Sequence, residues 1–292
     1  MTPETIRIGD LTVKRLGYGA MRLPGPMVWG EPRDEQQAKA VLRRVVELGI
    51  NLIDTAWYYG PYVANRLIVE TLHPYPKDLV IVTKLGGKRL ADKSWAPAAT
   101  PEEIRKDHDA ELKALKLDRV DLVHCRYIPN PVPFLETLDA MIELKKQGKI
   151  RHIGVSNVTL EQLEQARKRT EIVSVQNTFS AVHQGEKRTQ GYGPPQVESP
   201  DVVLDACEKA GIAFMPYFPL AMGALGKTHP ALDEIAARKK ATTAQIAIAW
   251  LLARSKVMLP IPGTSSVQHL EENWAASNIE LTPEEVRAIS AG

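Results

Sequence analysis

Short, β-branched or apolar runs alternate along this chain with longer stretches whose apolar positions recur three and four residues apart. The runs are 12–16, 50–53, 79–83, 119–123, 152–155, 173–176, 213–217 and 257–261. Between them lie 35–49, 101–117, 134–148, 160–170 and 201–211, each carrying one apolar stripe, so each is predicted to be an amphipathic helix packed on its apolar side. Three of these stretches end in Gly49, Gly148 and Gly211, the residue type that tolerates a left-handed helix end. Runs that are apolar almost throughout suit a parallel sheet covered on both faces. Eight strand–helix units predict an α/β fold, a (β/α)8 TIM barrel formed as a single domain over 1–292. An open doubly wound sheet fits less well, because RLGYGAM (15–21) lacks the third glycine of a nucleotide turn and leads into a Pro-rich loop. The opening TIRIGDLTVKRLG alternates about Gly9-Asp10 and predicts an N-terminal β-hairpin closing the barrel floor.

Three long connections, 22–34, 85–100 and 179–200, follow strands and are therefore expected on the catalytic face of a barrel. The last, rich in Gly, Pro and charge, reads equally well as a functional loop or as disorder. Composition narrows the partners. With 37 basic and 35 acidic residues the net charge is +2, which lacks the electrostatic footprint of a nucleic-acid binder. No apolar run approaches the roughly 20 residues of a membrane span, and TPETIRIGD lacks the apolar core of a signal peptide, so no membrane partner and a cytoplasmic location are expected. Cys125 and Cys207 are too few for a disulfide scaffold and have no partners at metal spacing, so no metal is expected.

The segment 51–72 holds the most specific chemistry. Asp54 ends a strand, Tyr59 follows five positions later, and a second strand, LVIVTK, ends in Lys84. In a barrel these ends converge on one face, so a carboxylate, a phenol and an ammonium can meet. A free phenol and a free lysine both titrate near pH 10, too high for acid–base work at neutrality. A cation bonded to the phenol would lower its pKa, and a buried carboxylate would keep that cation charged and oriented. The expected result is a tyrosine tuned to exchange a proton, as carbonyl reduction by hydride requires. The plainer alternative makes Asp54 a turn cap paired with Lys84, and Tyr59 a wall aromatic.

The chain resembles the aldo-keto reductase family of NADPH-dependent (β/α)8 oxidoreductases. The resemblance is carried by RLGYGAM, DTAWYYG, VTK, GKIRHIGVSN (148–157), VQN (175–177), PYFPLAMG (216–223), IAWLL (248–252) and IPGTSSVQHLEEN (261–273). It implies that Asp54, Tyr59 and Lys84 are the carboxylate, proton donor and lysine of the catalytic group. The family's usual histidine, five residues beyond the Asp of an Asp-Leu pair, is replaced: DLVHCRYIP places Arg126 there, counted from Asp121, with His124 two residues earlier. Strand alternation lets 124 and 126 face the same side, with His124 deeper. Arg126 is read as the occupant of the histidine position, bonding the substrate oxygen through a planar cation. His124 reaching up to serve as usual is one rival; His124 as a satisfied core histidine is another, compatible with the first. Arg126 suits substrates with an acidic hydroxyl or carboxylate near the carbonyl, and it would weaken Tyr59 as a donor unless a substrate anion compensates. Bacterial pyridoxal reductases in the family resemble this arrangement, which makes pyridoxal a candidate.

By the same resemblance Ser156, Asn157 and Gln176 match positions that hold the nicotinamide carboxamide, and Tyr217 the aromatic on which the ring stacks. Phe218 and Leu220 match backbone contacts to the pyrophosphate. Gly263, Thr264, Ser265, Ser266, His269, Glu272 and Asn273 match the pocket for adenine and the 2′-phosphate. No Lys or Arg stands at 263, 266 or 269, so the implied cofactor is NADPH with NADH as an open alternative. Trp57, Tyr58, Trp95 and Tyr127 are candidate walls for a small carbonyl substrate with a flat ring. A monomer or small homo-oligomer is expected. The expected function is NADPH-dependent reduction of an aldehyde or ketone; imine reduction, or a dinucleotide-binding sensor or scaffold with weak turnover, is the alternative.

Overall fold

The computed structural model describes residues 4–182, 199–221 and 229–291. The chain opens with an antiparallel hairpin, β1 (Thr5–Ile8) and β2 (Leu11–Lys14), turning at 9–10. There follow β3 (Tyr18–Gly19), α1 (Glu35–Glu47), β4 (Leu52–Asp54), α2 (Val63–Leu72), β5 (Val80–Arg89), β6 (Trp95–Ala98) and α3 (Pro101–Leu115). Next come β7 (Val120–Arg126), α4 (Phe134–Lys146), β8 (Ile150–Ser156), α5 (Leu160–Arg169), β9 (Ile172–Gln176), α6 (Pro200–Ala210) and β10 (Ala213–Phe214). The last helices are α7 (Pro230–Lys239), α8 (Thr243–Arg254), α9 (Val267–Ala275) and α10 (Pro283–Ala291).

The parallel strands run in the order β3-β4-β5-β7-β8-β9-β10. Residues 257–262 close the ring. The Phe214 amide donates to the Val257 carbonyl at 2.8 Å and the Leu259 amide to Phe214 at 2.8 Å, while the amide of Gly17 donates to Pro260 at 2.9 Å and that of Gly19 to Pro262 at 3.4 Å. The eighth staved position is thus an irregular segment, because Pro260 and Pro262 have no amide hydrogen to donate to a ladder. The fold is a (β/α)8 barrel with an N-terminal hairpin.

Side chains of Ile8, Leu11 and Val13 from the hairpin pack with Leu52, Val80, Val82 and Leu122 from the strands, plugging the floor. Two further apolar clusters fill the space between sheet and helices, one under α1 and α2, the other under α4 to α8. Helix starts are specified locally: Thr100 with Glu103, Thr159 with Gln162 and Thr242 with Gln245 form reciprocal caps, and Asp34 accepts from the Gln37 amide. Gly49, Gly148 and Gly211 all have positive φ, as their places at helix ends require.

Besides the irregular eighth segment, the structure departs from the sequence reading in two places. Residues 12–14 belong to the hairpin, and the first barrel strand is Tyr18–Gly19, since Leu11 and Val13 turn their apolar side to the floor. Residues 85–100 are not a loop: β5 continues to Arg89 and returns as β6, paired antiparallel from Gly86↔Ala98 to Arg89↔Trp95. Most of the 179–200 connection (183–198) lies outside the described residues. No helix among the described residues is long and apolar enough to cross a membrane.

Candidate active site

Parallel register stacks inward-facing residues in layers. Lys84 lies level with His124 and, through β7 and β8, with Gly154 and Ser174. One layer nearer the strand ends, Arg126, Ser156 and Gln176 stand side by side. These layers decide which residues share the cavity at the C-terminal ends of the strands.

Asp54 and Lys84 form a buried ion pair, Nζ to Oδ2 at 2.6 Å, with side chains 4% and 5% exposed. A second bond runs from Lys84 Nζ to the Thr55 carbonyl at 3.0 Å. Gln176 Nε2 donates to the other carboxylate oxygen of Asp54 at 2.8 Å. The ammonium lies 5.1 Å from the centre of the Tyr59 ring. Burial pushes the Tyr59 phenol well above its ordinary range, the Asp54 carboxylate adds to the shift and Arg126 opposes it. This corrects the expectation of a lowered pKa: the ammonium spends its bonds on Asp54 and Thr55, and desolvation outweighs the nearby cation. Tyr59 is therefore a firmly protonated phenol across the neutral range.

Arg126 reaches the same cavity from the end of β7. Its guanidinium carbon lies 5.6 Å from the Tyr58 ring centre and 4.8 Å from that of Trp95. Burial works against its charge, but the charge that Tyr58, Tyr59 and Tyr217 carry once ionised, with a hydrogen bond to Tyr58, outweighs it and its pKa is raised. The approach depends on Gly86, whose φ is +103° and where a Cβ would fall 2.3 Å from the Arg126 carbonyl oxygen. His124 is elsewhere. It is fully buried one layer down, its Nε2 2.8 Å from Ser174 Oγ, and its ring occupies the space a Cβ at Gly154 would need. Burial and the Lys84 charge hold its pKa well below the usual histidine value, so it is a neutral core residue.

A cavity of about 540 Å³ joins Asp54, Tyr58, Tyr59, Lys84, Trp95 and Arg126 to Ser156, Gln176, Tyr217, Phe218, Leu220 and Gly263. Of the predicted walls, Tyr58 and Trp95 line it, Tyr58 standing edge-on to Tyr59 and to Trp95. Trp57 and Tyr127 do not: Trp57 leans on Tyr62, and the Tyr127 ring packs edge-on against Phe134. Among the predicted cofactor residues, Asn157, Thr264, Ser265, Ser266, His269, Glu272 and Asn273 lie outside this lining. Asn157 donates to the Tyr127 carbonyl at 3.3 Å, and the Thr264 carbonyl accepts from the Tyr18 hydroxyl at 2.7 Å. Ser266 caps α9 by accepting from the His269 amide at 3.3 Å, leaving His269 and Ser265 exposed. Glu272 accepts from Gln268 at 2.8 Å, and Asn273 is buried in α9. Lining residues the sequence reading missed include Met21, Arg22 and Thr243. Met21 was visible in RLGYGAM; Arg22 and Thr243 carry no pattern of their own.

The model of the Aldo/keto reductase family matches residues 15–291. The chain is 43% identical over 290 residues to pyridoxine 4-dehydrogenase of Escherichia coli, covering 97% of this chain and 96% of that protein. It is 41% identical over 280 residues to an uncharacterized oxidoreductase of Schizosaccharomyces pombe, covering 96% and 87%. Among solved structures it is similar to a thermostable aldo-keto reductase in complex with the inhibitor epalrestat, at 30% identity and a TM-score of 0.81 over 100% of this chain and 99% of that one. An aldo-keto reductase from Klebsiella pneumoniae in complex with NADPH matches at 25% identity and a TM-score of 0.79, covering 100% and 95%. On sequence over nearly its whole length, and on a barrel carrying a buried Asp–Lys pair beside a tyrosine, the chain belongs to the aldo/keto reductase family.

Proposed function

We propose that the protein is an NADPH-dependent reductase of aldehydes or ketones, with a preference for a flat ring bearing an acidic hydroxyl beside the carbonyl, as in pyridoxal. One observation carries the reading: the Asp54–Lys84 pair at 2.6 Å, with Lys84 5.1 Å from the Tyr59 ring, opens into a cavity that also holds Arg126. The donor set fits a dinucleotide. Ser156 and Gln176 offer side-chain hydrogen bonds to an amide, Tyr217 an aromatic face, and Arg22, beside Gly263, a cation for a phosphate. Asn157 and the connection from Gly263 to α9 extend these contacts. The Klebsiella relative solved with NADPH supports the choice of cofactor.

The reduced dinucleotide, when bound, supplies hydride to the carbonyl carbon. The protein's own work is at the oxygen. Tyr59 Oη donates its proton there as negative charge develops, and the raised pKa keeps that proton in place until an alkoxide, a much stronger base than a carboxylate, forms to take it. Lys84 stabilises the resulting phenolate, and Asp54, held by Gln176, keeps Lys84 aimed. Arg126 binds the substrate oxygen or its neighbouring anion, while Tyr58 and Trp95 confine the ring. The name of the Escherichia coli relative, pyridoxine 4-dehydrogenase, supports a substrate of this ring class.

The test is consumption of NADPH absorbance with a panel including pyridoxal, 2-hydroxybenzaldehyde and benzaldehyde, comparing the native protein with Tyr59→Phe. Turnover that falls at least a hundredfold in the variant, with NADPH binding kept, is expected. Tight NADPH binding with no aldehyde turned over by the native protein would instead identify a dinucleotide sensor.

A further inference from the structure

A buried carboxylate lies just outside the barrel wall, and the chemistry above does not use it. Glu111, on α3, is fully buried. One of its oxygens accepts from the Thr83 hydroxyl and the other from Asn65 Nδ2 of α2 at 3.0 Å. Asn65 Oδ1 in turn accepts from the Thr55 hydroxyl at 2.8 Å. All four side chains are 0% exposed. Thr55 and Thr83 are the immediate neighbours of Asp54 and Lys84. Because side chains alternate across a strand, the threonines point outward where the ion pair points in. The carbonyl of Thr55 also accepts from Lys84 Nζ at 3.0 Å, and its amide donates to the Val82 carbonyl at 2.8 Å.

We propose that Glu111 is a positioning residue: from behind the wall it ties the end of β4 and the barrel part of β5 to one point, and so sets the spacing of Asp54 and Lys84 and the height of the ammonium beside Tyr59. The inference rests on the reading of Asp54, Tyr59 and Lys84 as the reacting group. It follows from the economy of the network. Thr55 and Thr83 have separate strands to follow, and β4 is only three residues long, so its end has few ladder bonds of its own. A carboxylate accepting from both sides fixes them relative to each other, through one direct bond and one relay amide. A buried carboxylate is costly to retain unless its bonds do something a leucine could not. Burial raises the pKa of Glu111 to about 7, against the bonds from Thr83 and Asn65 and the charge of Lys84; Asp107 on the same helix adds to the rise. The charged or titratable groups that act electrostatically with it are Lys84, on the inner side of β5, Asp107 from α3, Tyr62 from the turn before α2, and Tyr75.

Glu111→Leu, Glu111→Gln and Thr83→Val test the proposal in the full-length protein. A displacement approaching 1 Å between reacting groups costs on the order of a hundredfold in rate. Glu111→Leu is therefore expected to lower kcat for an aldehyde roughly 30- to 100-fold, with KM and the dissociation constant for NADPH within about threefold of the native values. Glu111→Gln keeps one acceptor for Asn65 and a donor to meet the Thr83 hydroxyl, so it restores kcat to within about fivefold. Thr83→Val, nearly isosteric and the fallback if Glu111→Leu does not fold, removes one tether and is expected to lower kcat about tenfold. A crystal structure of either variant supplies a readout independent of turnover: the Lys84 bonds to Asp54 and Thr55 should lengthen or re-pair. A folded Glu111→Leu, or Thr83→Val in its place, with native kcat and an unmoved ion pair overturns the inference. A native protein that reduces no carbonyl compound overturns the reading of the site instead, and the crystallographic readout still decides whether Glu111 sets the pair.

Discussion

Trp95 lies between two arginines: the guanidinium carbon of Arg126 is 4.8 Å from its ring centre and that of Arg89 is 4.5 Å away. Arg89 is itself anchored, donating to the carbonyls of Lys93 at 2.7 Å and Met27 at 3.1 Å, and it stacks on Trp29 at 5.5 Å. The indole thus links Arg89 of the β5–β6 hairpin to Arg126 at the cavity. Replacing Arg126 with Met should remove a charge-assisted contact worth about 1.5–3 kcal/mol, or roughly 10- to 100-fold in kcat/KM, for aldehydes with an ionised neighbouring oxygen. The loss for benzaldehyde should be several-fold smaller. Equal losses for pyridoxal and benzaldehyde would remove Arg126 from substrate recognition.

Trp95→Ala tests the support rather than the contact. Arg126 remains, but the nearer of its two aromatic partners goes, so KM for ring-bearing aldehydes should rise about tenfold while NADPH affinity stays within about twofold. Stopped-flow binding and steady-state kinetics separate the two. A variant that loses NADPH affinity by the same factor would show that Trp95 braces the whole mouth.

The ion pair makes a stability prediction. Lys84→Met leaves the buried Asp54 carboxylate without its cation, with the Gln176 amide as its remaining side-chain donor among the described residues, and should destabilise the fold by about 3–5 kcal/mol. Removing both charges in Asp54→Asn/Lys84→Met should recover most of that loss while leaving the protein inactive. Urea unfolding of the two variants and the single Asp54→Asn gives the cycle. Additive losses would mean that the charges do not interact.

What the sequence reveals of this site depends on how far each residue's role is encoded in its neighbours. Asp54 and Lys84 were legible because each ends a β-branched run, and barrel topology then brings strand ends together. The depth of His124 was legible too, since a two-residue step along a strand is one layer. The direction of the Tyr59 shift was not, because sequence gives no measure of desolvation. Glu111 and Asn65 sit on helices where a polar residue ordinarily faces water, so their burial was invisible. The run 12–16 reads both as part of the hairpin and as a barrel strand, and its alternating burial belongs to the hairpin, while Tyr18–Gly19 is too short to show a period. Trp57 and Tyr127 adjoin site residues in sequence but turn to Tyr62 and Phe134, a choice made by packing.

On the proposed placement of the cofactor 2′-phosphate at the first turn of α9, selectivity between NADPH and NADH is set there. His269 is exposed there, Ser266 uses its side chain on the His269 amide, and Gly263 has no side chain to offer. Native discrimination between NADPH and NADH is therefore expected to be modest. His269→Arg should tighten NADPH about three- to tenfold and leave NADH unchanged, since an exposed added cation acts only on the 2′-phosphate. Fluorescence titration with both cofactors decides it; equal tightening would place His269 away from that phosphate.

The pH dependence of stability should report two buried groups working in opposite directions. His124 has a depressed pKa in the folded protein, so the unfolded chain binds its proton more readily below the ordinary histidine pKa near 6.5. Its contribution is complete above that pH and is lost as pH falls, with a slope of up to about 1.4 kcal/mol per unit. His108, also depressed by burial, adds to the same side. Glu111, raised to about 7 from 4.5, does the reverse: its contribution is complete below 4.5 and is lost as pH rises toward 7. Between about 4.5 and 6.5 the slopes partly cancel in the native protein. Glu111→Gln removes one of them, so its urea midpoint should climb more steeply with pH across that window, whereas His124→Asn should make the midpoint fall with pH relative to the native curve. Parallel curves for all three proteins would show that neither group changes its protonation between the folded and unfolded states.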